Sequence, residues 1–137
     1  MVERLQYNGV QVIELGDEIK LILPADLFFT PHSSQLNSHY LPVLNMVAEF
    51  LFKFEKVSVE VAGFTDNQGP WQRNLILSKE QARHMMMYLW NYNIDARVIY
   101  AEGYGEKYCI ANNYTERGRY INRRIEISLR KIDNYDL

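Results

Sequence analysis

Apolar positions in this chain recur with two periods, every second residue in some stretches and every third or fourth in others, and each period predicts an element. Residues 10–15 (Val-Gln-Val-Ile-Glu-Leu) and 19–23 (Ile-Lys-Leu-Ile-Leu) are short β-rich runs parted by Gly16-Asp17, a turn signal, and predict a hairpin. Pro24 supplies no backbone donor and ends the second strand. A helical pattern opens at Ser34: Leu36, Tyr40, Val43, Leu44, Val47, Phe50, Leu51 and Phe54 fall on one face. Pro42 suits a first turn, so the helix proper is expected to start near it. Residues 57–63 alternate as a strand. Ser78-Lys79-Glu80-Gln81 matches a capping box, which predicts the start of a second helix. That helix is expected to bury Ala82, Met85, Met86, Leu89 and Trp90 and to end near residues 91–93. Residues 97–102 and 123–130 read as two more strands, with a glycine-containing loop from Gly103 to Gly118 between them. The polar tail from Lys131 is expected to fray.

The predicted order is hairpin, helix, strand, helix, strand, loop, strand. Strands joined by helices need crossover connections, so the fold class is α+β: a mixed parallel and antiparallel sheet with helices packed on one face. The 137 residues suit a single domain over 1–137. With 47% hydrophobic and 23% charged residues, the chain has the balance of a globular protein rather than a disordered one. A net charge of -2 argues against a nucleic-acid partner. The ten tyrosines suit core rims for the most part, with a partner surface as the alternative. The single cysteine, Cys109, excludes an internal disulfide and has no Cys or His at metal-ligand spacing. His32, His39 and His84 are scattered, without a nucleophile–base pairing, so neither an enzyme nor a metal or cofactor is expected. No apolar run reaches the roughly 18–20 residues that span a bilayer. The first residues carry neither a signal-peptide pattern nor a lipid-attachment cysteine; for a protein working outside the cytoplasm, the export segment and membrane anchor are expected elsewhere.

Three polar clusters carry the candidate chemistry. The first, Gly63 to Gly69 with Thr65, Asp66 and Asn67, lies just past a strand's C-terminal edge, where sheets with crossover helices collect ligands. The second runs from Asn74 through Leu77 and Ser78 toward a helix N-terminus, which favours an anion. The third, Gly118 to Arg124, is a basic turn feeding the last strand, in which Arg123 and Arg124 must face opposite sides. Each cluster also has a plain reading, as turn formers or as a packed ion pair.

Together these motifs resemble the OmpA-like peptidoglycan-binding domain. The resemblance runs through Gly63-Phe64-Thr65-Asp66-Asn67-Gln68-Gly69, Asn74, Leu77-Ser78, Ala82, Gly103-Tyr104-Gly105, Asn113, Thr115, Gly118-Arg119 and Asn122-Arg123-Arg124-Ile125-Glu126-Ile127. Leu23-Pro24-Ala25-Asp26-Leu27-Phe28-Phe29 is similar to the family's approach to its first helix. The family core covers about residues 19–130. This family takes in peptidoglycan-associated lipoproteins, flagellar stator proteins and envelope components of secretion systems. The resemblance implies a β-α-β-α-β-β sandwich and a groove that takes the diaminopimelate of the cell-wall stem peptide. By that resemblance Asp66 accepts from the ligand amine, with Thr65, Asn67, Asn74, Leu77, Ser78, Gln81 and Arg124 around the same ligand.

Two positions depart from the family pattern. Gln81 stands where the family has the arginine that pairs with the ligand carboxylate, and Phe64 stands where it usually has His. Arg83 is two residues on, about 200° around the helix, and points away. Replacing a charge-assisted pair by a neutral amide should cost on the order of 1.5–3 kcal/mol. Alternatively, Gln81 closes the capping box with Ser78. The expected function is a non-catalytic module, in the periplasm of a Gram-negative bacterium and associated with the outer membrane, that anchors an envelope protein to peptidoglycan. The alternative is a structural subunit of an envelope or secretion complex that keeps the fold with weakened or lost wall binding.

Overall fold

A five-stranded mixed sheet carries the molecule, in the order β1-β2-β5-β3-β4. The structure, a computed structural model, describes residues 1–131; the rest of the tail that the sequence reads as fraying lies outside the described residues. The strands are β1 (Gln11–Leu15), β2 (Glu18–Pro24), β3 (Val57–Phe64), β4 (Ala96–Gly105) and β5 (Arg124–Lys131). The helices are α1 (Val2–Tyr7), α2 (Ala25–Phe28), α3 (Leu41–Phe52), α4 (Trp71–Asn91) and α5 (Glu116–Asn122), with a 3₁₀ turn at Ser38–Tyr40. β3 and β4 are parallel, joined by α4 as the crossover; the other neighbours are antiparallel. This is the mixed α+β arrangement that the two periods predict.

The core lies between the sheet and its helices. Leu21, Ile127 and Val61 stand side by side across three strands and are fully buried. Val47, Ala48 and Leu51 of α3 and Ala82, Met85 and Leu89 of α4 join the same apolar cluster. Two glycines set how closely α4 approaches. A Cβ on Gly63 of β3 would lie 2.2 Å from the Ser78 carbonyl oxygen, and one on Gly103 of β4 would lie 2.4 Å from the Lys79 nitrogen. The helix therefore rests directly on the backbone of the two parallel strands, which carries the middle of α4 to the C-terminal end of β3.

Several boundaries differ from the sequence expectation. The pattern from Ser34 is not helical at first: Phe29 and Leu36 form an isolated bridge, and α3 starts at Leu41 with Pro42 in its first turn. α4 begins at Trp71 after Pro70, so Ser78 is an interior residue and the capping box does not form. The Ser78 hydroxyl instead donates to the Leu75 carbonyl and accepts from the Gly105 backbone N–H, both at 2.9 Å. Trp90 is 55% exposed and lines an open apolar hollow with Met86, Met87 and Ile99. α1, α2, α5 and the 3₁₀ turn are additional to the predicted elements, and Arg123 precedes β5 instead of opening it.

Candidate binding groove

The C-terminal end of β3, the loop after it and the start of α4 border a groove of about 580 Å³. Segments 25–32 and residues Glu116 and Arg123 close the other side. The floor holds Thr65 and Asp66, both only 6% exposed. Asp66 is fixed from both oxygens: Oδ1 accepts from the Gln68 backbone N–H at 3.0 Å, and Oδ2 accepts from Arg123 Nη1 at 2.6 Å. The Thr65 hydroxyl donates to the Asp66 carbonyl, and Asn74 Nδ2 donates to the carbonyls of Gln68 at 2.9 Å and Asp66 at 3.4 Å. Asn74 thus ties the loop to the first turn of α4.

Arg123 is the hub. Besides Asp66 it meets Asp26 through Nε at 3.0 Å and Nη2 at 2.9 Å, and Glu116 through Nη2 at 3.0 Å. Burial works against its charge, but the hydrogen bonds from Asp26, Asp66 and Glu116 outweigh it and hold the guanidinium protonated well above its ordinary range. Glu116 is held below the usual carboxylate range by the hydrogen bond from Arg119 first and that from Arg123 second. Three carboxylates surround Arg123, and Arg119 pairs with one of them, Glu116, at 3.0 Å, so the cluster keeps one negative charge in excess.

Gln81 lines the groove from α4 and is 5% exposed. Its Nε2 donates to the Ser33 carbonyl at 3.0 Å, so it does not turn back to Ser78. Three residues on, His84 Nδ1 meets the Ser34 carbonyl at 2.6 Å. The pair fixes the loop after α2 against α4. Arg73 also lines the groove, one turn before Leu77 and two before Gln81, and is exposed.

Of the residues singled out from sequence, Thr65, Asp66, Asn74, Leu77 and Gln81 come together in the groove. Asn67 is exposed and Ser78 is fully buried under the helix, and neither lines it. Arg124 is also absent from it. The residue is 2% exposed on the other side of the sheet: its guanidinium lies 3.9 Å above the Phe64 ring, and it donates to Glu126 at 2.7 Å, the Tyr108 carbonyl at 2.9 Å and the Asn122 carbonyl at 3.2 Å. Its neighbour Arg123 takes the groove position, because the two must point opposite ways. Sequence reasoning missed Asp26 and Glu116 as groove residues. Their one signal is Arg123 itself, a half-buried cation that needs partners.

A second hollow of about 350 Å³, lined by Met86, Met87, Trp90, Asn91 and Ile99, is apolar and holds no titratable group. Among the described residues no cluster of three or more His, Cys, Asp or Glu is placed to hold a metal ion, and no helix is long and apolar enough to cross a membrane.

Comparison with known proteins agrees with this architecture. Residues 28–123 match the OmpA family. A probable lipoprotein of Escherichia coli, YiaD, is 34% identical over 127 residues, covering 93% of this chain and 58% of its own length. Outer membrane protein Omp38 of Acinetobacter baumannii is 34% identical over 113 residues, covering 82% of this chain and 31% of its own length. The chain therefore spans from about a third to just over half of these relatives. Among solved structures, the cell wall anchor of the T6SS from Pseudomonas aeruginosa superposes with a TM-score of 0.85 at 26% identity, covering 96% of this chain and 98% of that one. The periplasmic domain of Helicobacter pylori MotB has the same fold, with a TM-score of 0.82 at 24% identity over 98% of this chain and 86% of that one.

Proposed function

We propose, on the premise that the chain belongs to the OmpA family, that it is a non-catalytic module holding an envelope protein or complex to peptidoglycan. The groove takes the ammonium of the stem-peptide diaminopimelate at Asp66. The observation that carries this reading is the cluster of Asp26, Asp66 and Glu116 around Arg123, which leaves excess negative charge between the floor and one side of a groove of about 580 Å³. That volume is in the range of small-ligand sites. The similar Pseudomonas protein, described as a cell wall anchor, favours the same reading. So do relatives described as a lipoprotein and an outer membrane protein, which favour a place in the periplasm near the outer membrane.

Purified diaminopimelate-type sacculi should retain the protein. Asp66→Ala should lower that retention about tenfold or more, as the loss of a charge-assisted hydrogen bond implies. Equal retention of both, or retention of neither while both melt cooperatively, would sink the reading. One observation favours the second function, a structural subunit of an envelope complex with weak wall binding: the Gln81 donor is already taken by the Ser33 carbonyl. That function predicts co-purification with envelope proteins after the wall is digested, and release on digestion counts against it.

A further inference from the structure

The two ends of the groove differ in what they can offer a ligand. At the Asp66 end, Arg123 contacts three carboxylates at 2.6–3.0 Å, which engage four of its five N–H donors and disfavour a ligand anion beside it. What remains there is excess negative charge, which suits an ammonium. At the other end Gln81 lines the groove beside Thr30 and the exposed His32, and is the buried polar side chain among them. Its Nε2 is held by the Ser33 carbonyl, and its Oε1 accepts no hydrogen bond from the described residues. The amide cannot simply be turned over, because that would leave the Ser33 carbonyl without a donor on a loop also held by His84. Gln81 is 95% buried and offers the ligand an acceptor. A carboxylate there would set acceptor against acceptor, with the anionic cluster in the same groove. An amide N–H₂ would find a partner.

We infer that the groove is selective for a residue that brings a primary ammonium and whose neighbouring carboxyl group is amidated or absent, so that a free carboxylate at Gln81 is rejected. This rests on the wall-binding reading above. Arg73 does not undo the selection. It is eight residues from Gln81, about 12 Å along the helix axis, and exposed at the mouth, where it serves anionic parts of the ligand common to all forms.

The test uses three stem tripeptides that differ only at the third residue: diaminopimelate with its distal carboxyl free, the same with that carboxyl amidated, and lysine. Calorimetry on the whole chain should find the amidated and lysine forms within about threefold of each other and the free acid about tenfold or more weaker. Gln81→Arg should invert the order. Gln81→Met, which keeps the bulk without the polar atoms, should narrow the gap between the free acid and the other two forms. Arg73→Ala should weaken all three by one common factor. If the free acid binds as tightly as the other two, or if Arg73→Ala weakens the free acid alone, the selectivity is overturned and wall binding stands. If neither the peptides nor sacculi bind, the wall-binding reading falls and takes the selectivity with it. Should Gln81→Arg fail to melt cooperatively, the wild-type ranking decides.

Discussion

Arg123 and Arg124 are neighbours in sequence and opposites in surroundings. Arg123 turns into a solvent-reached groove and holds three carboxylates, two of them on exposed side chains. Arg124 turns beneath the sheet, where it meets one carboxylate, two backbone carbonyls and the face of Phe64, which itself stacks on Tyr104 at 5.3 Å. One cation orders the carboxylates that line the groove. The other closes a set of partners with little access to water. The comparison teaches that two basic residues in one motif divide between the groove and the opposite, buried side of the sheet, because adjacent residues entering a strand point opposite ways.

The sharpest way to break this division is Arg124→Ala. It leaves one Glu126 oxygen and two carbonyls without their donor and uncovers Phe64, while Lys20 stays on the other Glu126 oxygen at 3.3 Å, so stability in urea should fall by about 2–4 kcal/mol, with wall binding per folded molecule unchanged. A loss below about 1 kcal/mol would place Arg124 among ordinary surface cations. Arg123→Gln should destabilise less, by about 1–3 kcal/mol, chiefly through the buried Asp66, yet shift sacculus retention by at least about threefold. Equal retention for the two variants would erase the contrast. The smallest effect is a titration. Glu116 is depressed in the folded protein, so it supports the fold above the ordinary carboxylate range, and that support is lost as pH falls through its lowered value. In Arg123→Gln the Glu116 midpoint, followed by carboxyl NMR, should move only part of the way back up, since Arg119 supplies the larger part of the depression. An unmoved midpoint would mean that the Arg123–Glu116 contact does not form in solution.

Much of the fold was legible because its signals are local. The hairpin follows from Gly16-Asp17 between two β-rich runs, and Pro42 marks the first turn of α3. Errors arose where tertiary contacts override a local match. Ser78 and Gln81 have the spacing of a capping box, but their side chains are taken by Gly105 and Ser33, far off in sequence, and α4 continues through them. α5 escaped notice because its seven residues contain a glycine and show no apolar stripe. Its signal was the cap, Thr115 accepting from the Gly118 N–H. Asp66, Asn74 and Gln81 could be placed near one another from motif order, whereas Asp26, 97 residues from Arg123, could not. Trp90 was expected in the core on periodicity, which cannot say how much of a helix face its neighbours cover.

The order of strands also bears on when this protein can exist during its synthesis. β5 is the last strand to be made, and it lies between β2 and β3. Until it emerges, the hairpin and the β3–β4 pair have no common neighbour, and the apolar faces of Leu21 and Val61 cannot be joined through Ile127. A ribosome-bound chain halted before residue 124 therefore exposes two separate half-sheets with open edges, the state in which association with other chains competes with folding. Completing the domain is a single late event, and the arginine that organises the groove arrives only one residue ahead of it.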